Sequence, residues 1–155
     1  MKTLLFAYYV VFCLDVWPQF MRYGYQRREV YAVAHEVAFD TTASPDVGLR
    51  LMQIAGHESG FYRGAVGKRG ERGPWQVLGG NDFSAREALR RMALGMVSFV
   101  GCRHASDAVV LPEGTKTTCQ EMVDNRIGPA DRYFATHPAP PPTALVDDVT
   151  VAGNP

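Results

Sequence analysis

The chain has 155 residues, 46% of them hydrophobic and 21% charged, which is typical of one globular domain with its own core. Sixteen basic residues balance 16 acidic ones, and this zero net charge argues against a dedicated nucleic-acid-binding protein, which usually carries a basic surplus. The 3 cysteines and 4 histidines show no metal-ligand spacing, so we expect neither a metal site nor another cofactor.

Residues 1–20 contain a lysine followed by an apolar run at positions 4–14. The run has the length of a signal peptide and is too short for a stable transmembrane span. Asp15, Trp17 and Pro18 follow, however, where a signal peptidase would require small residues. Two alternatives remain open: a signal-like leader, or an apolar segment that packs on the domain as a helix or strand.

Two helices are predicted in the first half of the chain, at residues 27–39 and 45–59. The first is amphipathic, and its apolar face consists of Val30, Ala34 and Val37. Ser44 suits the N-cap of the second helix and Pro45 its first position, while Gly60 is a typical C-terminal stop. We expect these two helices to form part of the core.

Residues 60–80 contain seven glycines and few apolar side chains, which predicts a loop or a small β-hairpin. Ser84 and Glu87 form a capping-box pattern, so a third helix is expected to begin at Ala85 and to continue to about Gly101.

Thr118 and Glu121 repeat the capping-box pattern before a short helix at residues 119–127. Pro129 is expected to open a last helix over residues 129–137, which Pro138 ends.

The predicted fold is therefore mainly α, with a helical domain at residues 21–137. A small irregular or β-hairpin insert follows the second helix. Residues 138–155 are rich in proline and are expected to form a mobile tail that can link the domain to a protein partner.

Glu58 lies on the apolar face of the second predicted helix, one turn beyond Ile54. A carboxylate in that position is partly desolvated, which raises its pKa. A carboxylic acid that stays protonated near neutral pH is what protonation of a glycosidic oxygen requires. The alternative is a solvated helix end, at which Glu58 forms a plain ion pair with Arg63.

The loop after Glu58 adds features that suit a ligand site. Its glycines let the backbone approach a ligand closely, and it is rich in basic residues. Trp75 would stack on a sugar ring, and Gln76 would form hydrogen bonds with it. Core packing is the commoner role of a tryptophan, and a solvated turn is the commoner role of a basic loop.

The stretch from Ala55 to Val77, AGHESGFYRGAVGKRGERGPWQV, resembles the central motif of the soluble lytic transglycosylase family within the lysozyme superfamily. That family has a Glu-Ser pair at a helix end, then a Phe and a loop of small residues, and then a Gly-x-x-Gln turn. The corresponding residues are Glu58-Ser59, Phe61 and Gly73-Pro74-Trp75-Gln76. The resemblance covers about residues 27–135 and implies a lysozyme-like α+β fold.

The resemblance implies that Glu58 is the single general acid and base, and that Ser59 and Gln76 line the sugar site. Many members also carry a Tyr-Asn motif in a later helix. The nearest stretch, MVDNRIGPADRY, has no tyrosine directly before Asn125, so either Asn125 or Tyr133 would take that role.

The implied reaction is cleavage of the MurNAc-GlcNAc β-1,4 bond of peptidoglycan glycan strands, which leaves 1,6-anhydromuramic ends. Most glycosidases use two carboxylates, but one suffices if the N-acetyl group of the substrate assists departure of the leaving sugar. A hydrolytic muramidase with Asp82 as second acid is one alternative, and a catalytically inactive glycan-binding or structural module is another. A zinc peptidase is not favoured because neither His-Glu pair continues as HExxH.

Peptidoglycan as substrate implies action in the periplasm or cell envelope, or delivery by a phage. A disulfide between Cys102 and Cys119 is expected if the protein is exported.

Overall fold

The structure is a computed structural model that describes residues 1–93, 106, 108–110 and 113–141. The described residues form six helices and two short strands, so the mainly α class is confirmed. The elements are α1 (Lys2–Val16), α2 (Pro18–Met21), α3 (Gly24–Asp40), α4 (Pro45–Ser59), α5 (Ala85–Ala93), β1 (Ala108–Val110), β2 (Lys116–Thr118) and α6 (Cys119–Thr136).

Helix α4 lies at the centre of the domain and contacts α1, α3, α5 and α6. Every residue from Gly48 to Gly56 except Arg50 is buried, so the helix has almost no solvated face over this stretch. The sequence pattern predicted only one apolar stripe. The wider burial is possible because the remaining faces carry glycine, alanine and methionine, which neighbouring helices can cover.

Two glycines of α4 let aromatic side chains approach its backbone closely. A Cβ atom at Gly48 would overlap the ring of Tyr9 in α1. A Cβ atom at Gly56 would lie 2.6 Å from Cε2 of Trp17. These contacts fix α1 and the α1–α2 junction against the central helix.

The apolar run near the N-terminus forms α1, which packs on the domain as a helix. Its buried residues are Tyr8, Tyr9, Phe12 and Cys13. Phe12 meets Tyr133 of α6 edge to face, with 5.1 Å between the ring centroids. Helix α1 therefore supplies part of the core.

The single helix α6 replaces the two helices predicted over residues 119–137, because Pro129 lies inside it. Thr118 and Glu121 form the predicted capping box at its start. Proline removes one helical hydrogen bond, but ion pairs tie α6 to α4 on both sides of Pro129. Arg126 pairs with Glu58, and Asp131 accepts a hydrogen bond of 2.7 Å from Arg50 Nε. Tertiary contacts thus override the local signal.

Of the two forms predicted for the insert, irregular or β-hairpin, the structure has the irregular one. Residues 60–80 contain two isolated bridges, Val66 to Arg72 and Arg72 to Val77. Five of the glycines there have positive φ, at positions 60, 70, 73, 79 and 80, which favours turns over strands. The antiparallel pair β1–β2 lies later in the chain and pairs Ala108 with Thr118.

Replacing Gly48 by alanine tests the close contact between α1 and α4. We expect Gly48→Ala to lower the free energy of unfolding by about 1–3 kcal/mol, because the new methyl group overpacks the core. Gly24→Ala is the matched control, since an added Cβ there meets nothing within 4 Å. Chemical denaturation measures both, and equal stability of the two variants would contradict this packing.

Candidate active site

Glu58 lies in the last turn of α4, where the helix leaves the core. Gly60 adopts a left-handed conformation with φ of 61° and ends the helix, as the sequence predicts. The Gly60 N–H donates to the Gly56 carbonyl and the Phe61 N–H donates to the Ala55 carbonyl, each at 3.1 Å. The Glu58 side chain is 14% exposed, so its carboxylate is only partly hydrated.

Arg126 of α6 is the ion-pair partner of Glu58. Its Nη1 donates to Glu58 Oε1, and its side chain is 22% exposed. Burial raises the pKa of Glu58, while the Arg126 charge opposes that shift, and the net direction is upward. The predicted raised pKa therefore agrees with the structure, whereas the predicted alternative partner, Arg63, is wrong.

Arg63 instead forms a forked ion pair with Glu29 of α3. Arg63 Nη2 donates to Glu29 Oε1 and Arg63 Nε donates to Glu29 Oε2, both at 3.0 Å. The Arg63 backbone N–H also donates to Glu29 Oε2 at 3.0 Å. These three hydrogen bonds anchor the beginning of the glycine-rich loop to α3.

Ser59 joins the end of α4 to the Gly73–Gln76 turn. Its hydroxyl lies 2.8 Å from the Pro74 carbonyl oxygen and 3.1 Å from that of Ala55, and it can donate to either. The sequence motif thus corresponds to a physical link between the helix end that carries Glu58 and the turn that carries Gln76.

Gln76 has a positive φ of 48°, which is uncommon for a residue other than glycine. Its backbone N–H and its Nε2 both donate to the Gly73 carbonyl, at 3.1 Å and 3.0 Å. Backbone strain of this kind concentrates at functional sites, where the surrounding structure holds it in place. The positive φ of Gln76 therefore favours a functional role for this residue independently of the sequence motif.

Glu71 is a second carboxylate near Glu58 that the sequence analysis missed. Its negative charge contributes to the raised pKa of Glu58. Backbone hydrogen bonds, including one of 2.9 Å from the Arg69 N–H, lower the pKa of Glu71 itself. Glu71 is thus held as a carboxylate. Its neighbourhood depends on the loop conformation, which the sequence pattern does not specify.

Two of the predicted substrate-binding residues belong to the core instead. Trp75 is fully buried and its indole Nε1 donates to the Leu51 carbonyl at 2.9 Å, so its ring cannot stack on a sugar. Tyr133 is buried between α6 and α1, and its hydroxyl donates to Asp15 at 3.1 Å. Burial raises the pKa of Tyr133 to about 12. Both predictions were wrong because core packing accounts for these rings.

Asn125 is exposed on α6, directly before Arg126. Arg126 carries no local sequence signal of its role, because 68 residues separate it from Glu58. Its one sequence hint was its place in MVDNRIGPADRY, the stretch nearest to the Tyr-Asn motif of the family that the sequence resembles.

Asp82, the predicted second acid of a muramidase, caps a turn. Its carboxylate accepts a hydrogen bond of 2.9 Å from the Ser84 N–H, and hydrogen bonds from Ser84 lower its pKa. Ser84 also accepts from the Glu87 N–H at 3.3 Å, so this half of the predicted capping box is present. Glu87 itself pairs with Arg90 and Arg91, which lower its pKa to about 2.

The predicted disulfide lies outside the described residues, because these do not include Cys102. Cys13 is a buried free cysteine in α1. Within the described ranges, no group of three or more His, Cys, Asp or Glu side chains is arranged to hold a metal ion. None of the described helices combines the length and apolarity needed to cross a membrane.

Comparisons with protein-family models, curated proteins and solved structures found no match for this chain.

Replacing Arg126 tests the ion pair. Arg126→Gln leaves Glu58 unpaired and half-buried, which we expect to lower the free energy of unfolding by about 1–3 kcal/mol near neutral pH. A carboxyl whose pKa is raised on folding destabilises the folded state as pH rises from its unfolded pKa to its folded pKa. The deficit should therefore shrink at about pH 4, where protonation removes the unpaired charge.

The control is the same substitution in a Glu58→Gln background, where urea denaturation should find a deficit that does not change with pH. An equal pH dependence in both backgrounds would show that Glu58 is not the partner that matters.

Proposed function

We propose that this protein is a peptidoglycan lytic transglycosylase with a lysozyme-like domain and Glu58 as its single acid and base. The observation that carries the proposal is the setting of Glu58 at the end of a buried central helix. Its pKa is raised by burial, and Ser59 links it to the turn that carries Gln76. The motif residues that suggested the family from sequence are thus spatial neighbours.

In the first step, protonated Glu58 donates its proton to the glycosidic oxygen. The bond between that oxygen and C1 of the muramic sugar breaks, and the N-acetyl group assists departure of the leaving sugar. Arg126 occupies Oε1 of Glu58, so Oε2 is the oxygen that approaches the substrate. A raised pKa keeps the protonated form accessible near neutral pH.

In the second step, Glu58 acts as a base. Its carboxylate removes the proton of the muramic 6-hydroxyl, whose oxygen attacks C1, displaces the acetamido oxygen that bonded to C1 in the first step, and closes the 1,6-anhydro ring. Arg126 stabilises the carboxylate that exists between the two steps. One group thus supplies both forms because burial and the guanidinium act on its pKa in opposite directions.

The position of Glu71 near Glu58 supports a second candidate function, that of a hydrolytic muramidase. The Glu71 carboxylate lies within electrostatic range of Glu58 and would activate a water molecule. A catalytically inactive glycan-binding or structural module is supported by a different observation, since the ion pair between Glu58 and Arg126 is also a structural link between α4 and α6.

The proposed substrate implies the location and the partners. Peptidoglycan strands place the activity in the periplasm or cell envelope, or in a protein delivered by a phage. The proline-rich tail at residues 138–155 is proposed as a linker to a protein partner.

We expect Glu58→Gln to reduce release of soluble muropeptides from purified sacculi by roughly two to four orders of magnitude, because an amide cannot deliver a proton. Asp82→Asn is the matched carboxylate control and should retain the activity of the parent. Turnover by Glu58→Gln within tenfold of the parent would move the catalytic role to another residue. If the parent itself released no muropeptides, the catalytically inactive glycan-binding or structural module would remain as the function.

The products should end in 1,6-anhydromuramic acid, because the internal hydroxyl reacts at high effective concentration. Borohydride reduction followed by mass spectrometry separates the outcomes, since anhydro ends resist reduction. Mostly reducible muramic ends, together with a loss of activity in Glu71→Gln, would establish the hydrolytic muramidase instead.

A further inference from the structure

A cavity of about 330 Å³ is lined by residues of the glycine-rich loop together with Glu36 of α3 and Phe83, and neither Glu58 nor Arg126 lines it. We name it the Glu36 pocket. Its lining includes Glu36, Arg63, Val66, Arg72, Pro74 and Phe83. The volume is at the lower end of the range for small-molecule sites.

The Glu36 pocket has a negative pole. Oε1 of Glu36 accepts a hydrogen bond of 2.7 Å from the Ala85 N–H, which holds the carboxyl group in a fixed orientation. The side chain is half-buried, and among the described residues no side-chain donor reaches it. The nearest positive charge, on Arg63, is already bonded to Glu29 through two side-chain hydrogen bonds.

Arg72 forms the positive pole. Its guanidinium carbon lies 5.8 Å from the centre of the Phe83 ring, within the range of a cation–π contact. Its backbone is fixed by two hydrogen bonds with Val77, of 3.0 Å and 2.9 Å. No carboxylate of the described residues pairs with Arg72, so its charge is available to a ligand.

The pocket thus presents one carboxylate and one guanidinium that lack ionic partners among the described residues, and Val66, Pro74 and Phe83 add apolar surface to its lining. A matching ligand carries an amino group, a carboxylate and a small apolar group. A neutral sugar supplies neither charge, and a simple anion leaves Glu36 without a partner. Charge complementarity therefore selects a zwitterionic peptide end.

The turn at Gly73–Gln76 connects this pocket to the catalytic helix. Pro74 lines the pocket, and its carbonyl oxygen lies 2.8 Å from the Ser59 hydroxyl, next to Glu58 in the chain. A peptide attached to a sugar near Glu58 is therefore close to the pocket.

We propose that the Glu36 pocket binds the peptide stem of peptidoglycan, with the side-chain amine of its diamino acid on Glu36 and the terminal carboxylate of D-alanine on Arg72. The assignment to peptidoglycan rests on the proposed function. It makes the enzyme selective for strands whose stems carry a free amine and a free carboxylate.

Isothermal titration calorimetry with Nα-acetyl-L-lysyl-D-alanine tests the pocket without any sugar. The parent protein should bind this dipeptide. The C-terminal amide and the Nε-acetylated form of the dipeptide should each bind at least about tenfold more weakly, because each lacks one charge-assisted hydrogen bond.

Two variants assign the poles. Arg72→Gln should bind the dipeptide and its C-terminal amide equally, and should still bind the free amine more tightly than the Nε-acetylated form. Glu36→Gln should bind the free amine and the Nε-acetylated form equally, and should still prefer the free carboxylate over the amide. Glu36→Gln keeps an acceptor for the Ala85 N–H, so the fold is retained, and thermal unfolding checks this. Lys68→Gln is the matched control, since Lys68 is exposed on the same loop and does not line the pocket.

The proposal would be overturned if neither amidation nor Nε-acetylation of the dipeptide weakened binding. It would also be overturned if Lys68→Gln weakened binding as much as Arg72→Gln and Glu36→Gln do. Cleavage of sacculi by the parent without dipeptide binding would overturn the pocket and retain the transglycosylase. Charge-dependent dipeptide binding without any cleavage would support the pocket as a peptide site and contradict the proposed function.

Discussion

The packing of four other helices around α4 determines the properties of the residue at its end. Because α1, α3, α5 and α6 cover this helix, its last turn leaves the core with Glu58 still partly desolvated. Burial alone would favour the neutral acid, and the guanidinium of Arg126 favours the carboxylate. The opposition of these two effects brings both protonation states within reach, which a group that serves as both acid and base requires.

The surrounding glycines make this arrangement possible. Gly48 and Gly56 admit Tyr9 and Trp17 against the backbone of α4, so α1 and the α1–α2 junction cover one side of the helix. Gly60 then ends the helix in a left-handed conformation, and Ser59 ties that end to the next turn. The same turn forms part of the wall of the Glu36 pocket. The strain at Gln76 and the Arg72 pole of the pocket thus occur on a loop that is anchored at several points, whereas the Glu36 pole lies on α3.

Local signals in the sequence predicted the ends of helices, because these depend on the residues at the ends themselves. Ser44, Pro45 and Gly60 define α4 correctly, and Thr118 with Glu121 starts α6 as expected. The predictions from sequence were wrong where contacts between residues far apart in the chain determine the structure. Pro129 does not open a separate helix, because ion pairs with α4 hold α6 together on both sides of it. Arg126 and Glu71 could not be identified as neighbours of Glu58, and the rings of Trp75 and Tyr133 were assigned to a ligand although they fill the core.

Direct titration of Glu58 tests the central claim that burial outweighs the Arg126 charge. Carbon-13 NMR of the glutamate side-chain carboxyl carbons, with Glu58→Gln to assign the signal, follows this group as a function of pH. We expect a midpoint above the ordinary glutamate pKa of about 4.3, because burial raises the pKa of Glu58. A midpoint at or below that value would show that the ion pair with Arg126 dominates. Glu58 would then be a structural carboxylate and not an acid held ready to donate a proton.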